Sequence, residues 1–439
     1  MAPKILMIAA PCSGEGKTSM SIGLMRAFSR CGYKVQGLKS GPDYIDPEFH
    51  AAATGRKGAN MDSWAMPPEL LAYYLSAKTS DCDLVIIEGA MGLFDGIPQE
   101  RGRTGAGADL VRAFHIPVLL VQDISGQAQT AAAITKGFAT FDPDVSIHGV
   151  ILNRVASPRH EVMAKTAIEQ IGIPVVGSVM RQTLPALKER HLGLVQAREY
   201  PALDQYISDL ADQIEKSLDL EAILDCFAPL DIPEHGSSRY ALPPPGQRIA
   251  LAQDEAFTFL YPHVLEHWQR EGAEIVPFSP LADQAPAQDC DICWLPGGYP
   301  ELHAGKLAAA GHFIEGTRVF ARTKPVHGEC GGYMVLGQNL EDAEGVTHNL
   351  LNLLDHKTSF AKRKMNLGYR KAQLETDSPL GKKGMVIRGH EFHYSSLLDP
   401  GTDQPFARLS DGGDRDLGFS GGRRGHVSGA FFHAIACDF

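Results

Sequence analysis

The sequence has little positive charge and no hydrophobic run long enough to cross a membrane. Its 439 residues contain 41 Lys and Arg against 52 Asp and Glu, a formal net charge of -11. Binding to nucleic acid or to an anionic membrane surface would need a basic face, so neither is expected as a partner. The first apolar segment, "ILMIAAP" at residues 5–11, is too short to span a bilayer and leads into glycines and a lysine, unlike a signal peptide. These absences predict a cytoplasmic protein that acts on small molecules, and they leave open whether it forms a homodimer.

A disulfide framework is also absent. The eight cysteines are scattered over positions 12, 31, 82, 226, 290, 293, 330 and 437, a distribution that is typical of reduced thiols. Cys290 and Cys293 form a C-x-x-C pair, but they lie in "DCDICWLPGG", where apolar and polar residues alternate as in a strand. We therefore interpret this pair as structural rather than as a zinc or redox centre.

Short apolar segments alternate with longer helical patterns along the chain, without an internal repeat. The segments predicted as strands are "KILMIAA", "KVQGLKS", "DLVIIEGA", "IPVLLVQD", "HGVILNRV" and "IPVVGSV", then "RIALAQD", "CDICWLPGG", "KPVHGEC" and "GHVSGAFFHAIA". Strands that are apolar on both faces and alternate with helices predict an α/β protein, in which a mainly parallel sheet carries helices on both faces. The segment "CFAPLDIPEHGSSRYALPPPGQ" is rich in Pro, Gly and Ser and lacks periodicity. We predict two such domains, at residues 1–228 and 247–439, with a linker at residues 229–246.

The stretch "APCSGEGKTSM", residues 10–20, follows the first predicted strand and precedes a helical pattern. Gly14 and Gly16 would let backbone N–H groups converge on phosphate oxygens, Lys17 would reach the β- and γ-phosphates, and the Thr18 hydroxyl would bind Mg²⁺. Pro11 stands where the standard phosphate loop has its first glycine, but strand, glycine loop, Gly-Lys-Thr and helix follow in the right order. We interpret the stretch as a nucleotide-binding loop.

Acidic residues after two further strands complete the predicted metal and acceptor sites. Glu88, at the end of "DLVIIE", is a candidate Mg²⁺ ligand beside Thr18. Asp43 and Asp46 flank Tyr44 in "KSGPDYIDPEFH", which we predict to be a non-helical loop made rigid by prolines. Such acids are often only turn formers, but here they could hold the metal, for which Asp46 is the candidate, or orient an acceptor. The candidate acceptor-binding residues are Asp43, Tyr44, Asp46 and Asp95.

The nucleotide base has one candidate partner. Asn153 follows the strand "GVILNRV" and could hydrogen-bond a purine edge. A guanine-specific N-K-x-D motif is absent, because Arg154 and Ala156 occupy its Lys and Asp positions. ATP is therefore predicted rather than GTP.

In the second half, "KPVHGECGGYMVLG" reads as a strand, a sharp turn and a helix. This is the layout of a nucleophile elbow, which presents a side chain at a helix N-terminus. The helix dipole and the neighbouring N–H groups are expected to lower the pKa of the Cys330 thiol. A buried structural cysteine would not need glycines at 328, 331 and 332, so we predict that Cys330 is a nucleophile.

A thiolate that attacks a carbonyl also needs an oxyanion site and a base. The strand in "WLPGGYPEL" ends at Gly297 and Gly298, whose N–H groups could hold the oxyanion together with that of Gly331. The base should be a histidine. His433, on a late apolar strand, is one candidate, but sequence spacing alone does not decide between it and the competitors His390 and His393.

Together, "APCSGEGKT", "GPDYIDPEFH", "EGAMGLFDG", "LPGGYPE", "ECGGYMVLG", "GHEFHYS" and "GAFFHA" resemble the cobyrinic acid a,c-diamide synthase family, including its hydrogenobyrinic acid members, over essentially the whole chain. The resemblance implies a dethiobiotin-synthetase-like ATP domain followed by a class I glutamine amidotransferase domain, with Cys330 as nucleophile and His433 as its base. Ala434 and Ile435 follow His433, so the glutamate of the usual triad is missing. The resemblance therefore implies a Cys–His dyad.

The chemistry that the resemblance implies explains why both sites share one chain. ATP with Mg²⁺ would phosphorylate a carboxylate, glutamine would supply ammonia at the thiol, and a shielded path would carry the ammonia to the acyl phosphate. The acceptor would be the a- and c-acetates of a corrin, and whether that corrin contains cobalt stays open. The segment "HKTSFAKRKMNLGYRK" offers it six cations, at positions 357, 362, 363, 364, 370 and 371, although a charge run is often only a solvated face.

Other functions fit parts of this pattern. A non-catalytic nucleotide switch of the partitioning-ATPase type would carry a second lysine early in the phosphate loop, and "APCSGE" has none. Cobyric acid synthase and nickel-sirohydrochlorin diamide synthase are the closest enzymatic alternatives. The segment "GPDYIDP" favours the a,c-diamide synthases over both.

Overall fold

In the computed structural model the chain folds into two compact units, Met1–Ser238 and Arg239–Phe439. The structure describes residues 2–439 except for residues 182, 185–188, 191–192, 195–196, 201, 234–235 and 363. The division between the units falls within residues 229–246.

The first unit alternates strands and helices. Its strands are β1 Lys4–Ala9, β2 Val35–Ser40, β3 Asn60–Met61, β4 Leu84–Glu88, β5 Val118–Asp123, β6 Ile147–Val155, β7 Val175–Met180, β8 Glu189–Arg190, β9 Gly193–Leu194 and β10 Ala228–Pro229. Its helices are α1 Lys17–Arg30, α2 Asp46–Thr54, α3 Pro68–Thr79, α4 Gly107–Phe114, α5 Thr130–Phe141, α6 Pro158–Glu169, α7 Leu203–Ser217 and α8 Leu220–Cys226, with a 3₁₀ turn at Ala197–Glu199.

The main sheet of this unit has the order β3-β2-β4-β1-β5-β6-β7. All seven strands run parallel, and β10 pairs antiparallel to the start of β1. All six segments predicted as strands in this half are strands of the sheet. The central strands are apolar and buried on both faces, as a parallel sheet between helices requires. Because parallel strands end at one edge, the loops after β1, β2, β4 and β6 converge there.

The second unit contains more strands and fewer helices. The strands are β11 Arg248–Ala252, β12 Glu274–Phe278, β13 Ile292–Leu295, β14 Val326–Glu329, β15 Asn339–Glu341, β16 Thr347–Asn349, β17 Lys357–Ser359, β18 Asn366–Leu374, β19 Val386–His393, β20 Ser396–Asp399, β21 Ala407–Asp411, β22 Asp416–Ser420, β23 Gly422–Arg424, β24 Val427–Ala430 and β25 His433–Asp438. The helices are α9 Pro262–Arg270, α10 Ala304–Ala309, α11 Gly311–Ala321 and α12 Gly331–Leu336, with 3₁₀ turns at Pro280–Ala282 and Pro300–Leu302.

The described residues of this unit form three sheets. A six-stranded sheet has the order β12-β11-β13-β14-β24-β23 and is parallel except for β23. A five-stranded antiparallel sheet has the order β22-β21-β18-β19-β25, and a four-stranded sheet has the order β16-β15-β17-β20. Strands β11, β13, β14 and β24 of the parallel sheet were predicted from the sequence, whereas its edge strands β12 and β23 and the other two sheets were not. The segment "GHVSGAFFHAIA", predicted as a single strand, forms β24 in the parallel sheet and β25 in the antiparallel sheet.

Among the described residues, no helix has the length and apolar character that crossing a membrane requires.

Candidate active sites

The predicted phosphate loop lies between the end of β1 and the start of α1. Gly14 and Gly16 have φ angles of 85° and 98°, in the left-handed region that side chains disfavour. A Cβ atom at Gly16 would also collide with the side-chain amide of Asn153. Gly16 caps α1 without any side-chain hydrogen bond. The first N–H groups of this 14-residue helix are therefore suited to an anion such as phosphate.

Lys17 is the first residue of α1 and is 7% exposed. Its Nζ donates a hydrogen bond of 2.9 Å to the Cys12 carbonyl oxygen, which holds the ammonium group inside the loop. Burial lowers the pKa of Lys17, and the nearby charge of Lys39 lowers it further. A phosphate group bound in the loop would supply the negative charge that this lysine needs.

A buried network of charged side chains surrounds Glu88 at the end of β4. Its Oε1 accepts hydrogen bonds from Thr18 Oγ1 at 2.6 Å and Lys39 Nζ at 2.8 Å, and its Oε2 lies 2.8 Å from His50 Nε2. Burial alone would raise the pKa of Glu88, but Lys39 and His50 outweigh it and hold that pKa below its usual value. Glu88 is therefore a carboxylate placed directly beside the Thr18 hydroxyl.

Lys39 also contacts Asp46, with 2.5 Å between Nζ and Oδ2. Its burial opposes the charge, yet the carboxylates of Asp46 and Glu88 raise the pKa of Lys39 above its usual value. Neither Lys39 nor His50 was predicted from the sequence as a member of this site. The signal for Lys39 in the sequence was a lysine within the otherwise buried strand β2. In the pairing of β2 with β4, Lys39 lies opposite Glu88.

The segment that carries Asp43 and Asp46 differs from the prediction. Asp46 begins helix α2, so the prediction of a non-helical loop is wrong at this residue. Pro47 lies in the first turn, where its fixed φ angle favours a helix rather than a loop. Asp43 Oδ1 accepts hydrogen bonds from the N–H groups of Ile45 at 2.7 Å and Asp46 at 3.0 Å, which stabilises the turn into α2. Tyr44 lies half-buried between the two acids.

Asp95 lies in the loop after β4, which contacts the phosphate loop. The Leu93 N–H group donates to the Ala10 carbonyl oxygen at 3.0 Å, and exposed Asp95 accepts from the Gly92 N–H group at 3.0 Å. Asp95 is therefore held near the loop with its side chain accessible to a ligand.

Asn153 contacts the phosphate loop from the end of β6. Its Nδ2 donates to the Glu15 carbonyl oxygen at 2.7 Å, and its Oδ1 accepts from the Arg154 N–H group at 2.9 Å. These contacts tie the loop to β6. The predicted hydrogen bond to a purine edge stays a prediction.

The residues present fit a magnesium ion that is bound together with phosphate. Mg²⁺ in nucleotide sites uses one or two protein oxygens and completes its octahedron with phosphate oxygens and water. Thr18 and Glu88 offer a hydroxyl and a carboxylate oxygen 2.6 Å apart, whereas Asp46 is occupied by Lys39. In the described part of the chain, no cluster of three His, Cys, Asp or Glu residues could hold a metal without other ligands. Thr18 and Glu88 are therefore the stronger candidates of the three predicted ligands.

In the second unit, Cys330 occupies the sharp turn between β14 and α12. Its φ and ψ angles of 47° and −105° are strained for a residue with a side chain, as in a nucleophile elbow. Its N–H group donates to the Ala430 carbonyl oxygen at 2.8 Å, and its Sγ lies 3.8 Å from the Phe392 carbonyl oxygen. The predicted layout of strand, turn and helix is confirmed.

The expected fall in the pKa of Cys330 is wrong. Burial raises the pKa of this thiol, and the charge of Glu301 raises it further, against the opposing hydrogen bond from the Gly331 N–H group. Helix α12 has only six residues, so its dipole does not offset the loss of water. A thiolate at this position therefore requires a base.

Gly297, Gly298 and Gly331 lie together beside Cys330. Gly298 has a φ angle of 156°, which favours glycine, and a Cβ atom built on Gly331 would lie 3.0 Å from the Gly298 nitrogen. The Gly298 amide therefore lies beside the turn, as an oxyanion site requires. A Cβ atom on Gly297 would lie 2.5 Å from His433 Cε1 and 3.3 Å from Cys330 Cβ, so His433 and Cys330 both border Gly297.

Of the three candidate bases, His433 is the one that borders this glycine. His390 stacks on His433, with ring centroids 5.0 Å apart, and its Nε2 lies 2.5 Å from the Tyr261 hydroxyl. His393 stacks instead on Phe431, with 3.9 Å between ring centroids. Burial lowers the pKa of His433, and so do His390 and His393, which keeps the imidazole neutral and able to accept a proton.

Three of the six cations in the basic segment at residues 356–371 form ion pairs within the second unit. Lys357, Arg370 and Lys371 form ion pairs with Asp399, Glu391 and Asp414 at 3.5, 2.6 and 2.5 Å. Arg363 lies outside the described residues. Binding of an acidic acceptor by this segment stays a prediction.

Replacing Gly297 by alanine is expected to reduce any glutaminase activity by at least about tenfold, because the added methyl group would displace the His433 ring from Cys330. Overpacking of this kind costs about 1–3 kcal/mol of stability, so thermal melting should be measured in parallel. Gly311→Ala is the matched control, since its Cβ would meet nothing within 4 Å. Unchanged glutamine hydrolysis in Gly297→Ala would show that the ring position does not matter.

Comparison with known proteins assigns a family model to each unit. Residues 6–195 match the CobQ/CobB/MinD/ParA nucleotide binding domain, and residues 248–438 match the CobB/CobQ-like glutamine amidotransferase domain. These matches confirm the predicted fold class, a nucleotide-binding α/β domain followed by an amidotransferase domain.

Curated relatives match the chain over nearly its full length. A protein named hydrogenobyrinate a,c-diamide synthase from Agrobacterium fabrum is 63% identical over 436 residues, which is 99% of each chain. Proteins of the same name from Mesorhizobium japonicum and Rhodobacter capsulatus are 62% and 52% identical, again over 99% of each chain. Among solved structures, chloroplast FtsY from Physcomitrella patens covers 48% of this chain and 66% of its own, with 18% identity and a TM-score of 0.31, a likeness too weak to carry an argument.

Proposed function

The chain belongs to the hydrogenobyrinate a,c-diamide synthase family, and we propose that it converts hydrogenobyrinic acid to its a,c-diamide in cobalamin biosynthesis. It does so by ATP-dependent amidation of the a- and c-acetate carboxylates, with glutamine as the source of nitrogen. The observation that carries this proposal is the identity of 63% over 99% of both chains, which spans both the phosphate loop and the cysteine elbow. The names of these relatives favour the metal-free corrin over the cobalt-containing one.

We propose that the first unit activates the acceptor carboxylate. Attack of the carboxylate oxygen on the γ-phosphorus of ATP gives an acyl phosphate and ADP, and negative charge develops on the transferring group. Lys17 would neutralise that charge from within the phosphate loop, while Asn153 holds the loop in place. A magnesium ion bound by Thr18 and Glu88 would add positive charge beside the phosphate oxygens. Asp43, Tyr44, Asp46 and Asp95 are proposed to face the acceptor.

We propose that the second unit releases ammonia from glutamine. His433 takes the thiol proton, the thiolate of Cys330 attacks the side-chain amide carbon, and the oxyanion forms beside the Gly298 and Gly331 amides. The imidazolium returns the proton to the leaving nitrogen, which gives ammonia and a glutamyl thioester. Water then hydrolyses the thioester to glutamate and free thiol. Ammonia attacks the acyl phosphate carbon and expels phosphate, which completes the amide.

The direct test incubates purified protein with ATP, Mg²⁺ and glutamine in the presence of hydrogenobyrinic acid, cobyrinic acid or other tetrapyrrole acids. Replacement of a carboxyl by a carboxamide lowers the mass by about 1 Da, so high-resolution mass spectrometry or ¹⁵N-labelled glutamine counts the amides. Two ATP- and glutamine-dependent amides on hydrogenobyrinic acid would support the proposal. Amidation of a different acid alone would contradict the assigned substrate.

We also propose a cytoplasmic location, magnesium as the metal, and ATP, glutamine and a corrin polycarboxylate as the small-molecule partners. All eight cysteines are free in the structure, which fits a reducing compartment. A homodimer stays a proposal, and light scattering of the purified protein would measure it.

Asp46→Asn is expected to lower amide formation by more than about tenfold with either glutamine or ammonium, since it weakens the contact that holds Lys39 beside Glu88. Glutamine hydrolysis at Cys330 should be largely preserved, and the mono-amide should accumulate because two carboxylates are amidated in turn. The measurement is a mass-spectrometric time course.

Asp43→Asn tests the neighbouring acid in the same way, because asparagine retains the Oδ1 that accepts from Ile45 and Asp46 and should keep the turn into α2 while it removes a charge proposed to face the acceptor. Asp81→Asn is the matched control, since it removes an exposed carboxylate that pairs with Lys34 and Arg56 at the surface. Wild-type diamide yield from Asp46→Asn, with unchanged thermal melting, would show that Asp46 acts only in the fold.

A further inference from the structure

The residue before the nucleophile, Glu329, is buried in the second unit near His433. Glu329 is 2% exposed, and its Oε2 lies 4.0 Å from His433 Nδ1. Its Oε1 accepts a hydrogen bond of 3.1 Å from the Ala434 N–H group, directly after the histidine. One carboxyl group is thereby fixed against the backbone that carries the base, with its other oxygen directed to the imidazole.

We propose that Glu329 is the acidic positioning partner of His433, so that the third member of the site comes from the residue before the nucleophile instead of from a residue after the histidine. The proposal rests on the proposed glutaminase activity of Cys330. It does not make Glu329 a catalytic residue, since Glu329 would act on glutamine only through His433.

The topology explains how this carboxyl group reaches the base. Glu329 is the last residue of β14 and pairs with Ala430 in β24, and His433 begins β25 three residues later. Cys330 follows Glu329 and donates its N–H group to the same Ala430. Neighbouring residues in an extended strand point to opposite sides, but the strained turn at Cys330 breaks this alternation. The thiol and the carboxyl group can therefore lie near the same imidazole.

The present distance suits a site that tightens when substrate binds. A separation of 4.0 Å is too long for a hydrogen bond, although catalytic hydrogen bonds in ligand-free enzymes are often long. Protonation of His433 by the thiol would create a positive charge at this position. A carboxylate held 4.0 Å away would stabilise the imidazolium and fix the orientation of the ring.

The protonation state of Glu329 is linked to the charge of His433. Burial raises the pKa of Glu329 to about 8, and an imidazolium nearby would lower it again. The other charged groups near the site are Glu301 and Glu391, which act on Cys330, and His390 and His393, which act on His433. Carboxylate and imidazolium therefore stabilise each other, and the charged pair should form as Glu329 loses its proton.

The test compares Glu329→Gln with Glu329→Asp in the full-length protein. Glutamine at this position has the same shape and can still accept from the Ala434 N–H group, but it never becomes charged. We expect the kcat of Glu329→Gln for glutamine hydrolysis to fall by about 10- to 100-fold, with KM changed less than about twofold. Glu329→Asp should recover part of this loss, and ammonium-dependent amidation should stay at the wild-type level in both variants.

The pH dependence of Cys330 alkylation by iodoacetamide separates positioning from packing. In the wild type the rate should rise as Glu329 ionises, near or below pH 8. In Glu329→Gln the rise should occur at higher pH, where the thiol itself ionises, so the rate at pH 8 should be at least about tenfold lower. Because Cys12 and Cys31 are exposed and also react, the modified Cys330 peptide is quantified by mass spectrometry.

Asp342→Asn is the matched control, since it removes a carboxylate 2.7 Å from a different histidine, His348, in the same unit. A wild-type kcat and alkylation profile in Glu329→Gln would overturn the inference. Equal losses of kcat in Glu329→Gln and Glu329→Asp, with the same fall in melting temperature, would also overturn it, because they would indicate that Glu329 acts only through packing. Wild-type protein that amidates with ammonium but never hydrolyses glutamine would instead overturn the proposed function of the second unit and this inference with it.

Discussion

Cys330→Ala is expected to abolish glutamine-dependent amidation, by more than about a thousandfold, while amidation with a high concentration of ammonium continues. The thiol forms the covalent bond to the glutamyl group, and no other group at the elbow can replace it. The phosphate loop with Lys17 lies in the other unit, so activation of the acceptor does not depend on the thiol. Comparing glutamine with ammonium in this one variant therefore distinguishes glutamine hydrolysis from activation of the acceptor.

The substitution should leave the fold intact. Alanine keeps the Cβ atom and the N–H group that donates to Ala430, and it adds no strain to a backbone that already has a φ angle of 47°. Product formation with glutamine and with ammonium is measured side by side, at a pH where free ammonia is abundant. Equal loss of both activities in a variant with wild-type melting would contradict two separate sites.

Lys17→Ala should remove ATP-dependent amidation with either nitrogen source, by about 100-fold or more. The ammonium group is held within the loop by the Cys12 carbonyl oxygen, and Lys17 is 7% exposed, so a cation from the solvent cannot readily replace the lost charge. Glutamine hydrolysis, measured as glutamate formation, should be affected much less because Cys330 lies in the second unit. Lys17→Ala and Cys330→Ala should thus have opposite patterns.

Lys34→Ala is the matched control for this variant. Lys34 belongs to the same unit but pairs with Asp81 at the surface, where the loss of an ion pair has little effect. Both nitrogen sources should support near-normal activity in this control. Near-normal amidation by Lys17→Ala would place the nucleotide at a different position in the chain.

The central strands of the parallel sheets could be predicted from the sequence because they are covered on both faces, whereas the edge strand β12 is partly exposed and was not predicted. A segment such as "DLVIIEGA" must be apolar throughout to be buried in this way, so β4 was recognisable without neighbours. The antiparallel strands β18 and β21 are half-exposed, and their mixed residues gave no comparable signal. In "GHVSGAFFHAIA" the apolar character continues through Phe431 and Phe432, so this segment gave no signal for the boundary between β24 and β25.

The site could be predicted where a role follows from local sequence. Gly16, Lys17 and Cys330 are recognisable from their immediate neighbours, and the structure places them in a loop and an elbow of the predicted kind. Lys39 and Glu329 were missed because their roles depend on register. Lys39 lies beside Glu88 because β2 pairs with β4, and Glu329 lies near His433 because the ends of β14 and β24 meet the start of β25. Neither contact can be inferred from one segment of the sequence.

The thiol and its base belong to two different sheets, and this affects how stable glutamine hydrolysis is to heat and denaturant. Cys330 follows a strand of the parallel sheet, whereas His433 begins a strand of the antiparallel sheet, and only Phe431 and Phe432 connect β24 to β25. Their alignment therefore depends on contacts between the two sheets, such as the hydrogen bond from the Ala434 N–H group to Glu329, and not on hydrogen bonding within either sheet. Mild heat or denaturant that loosens these contacts is expected to inactivate glutamine hydrolysis before the secondary structure melts. A preparation that has lost glutamine hydrolysis in this way should still form the amide when ammonium is added.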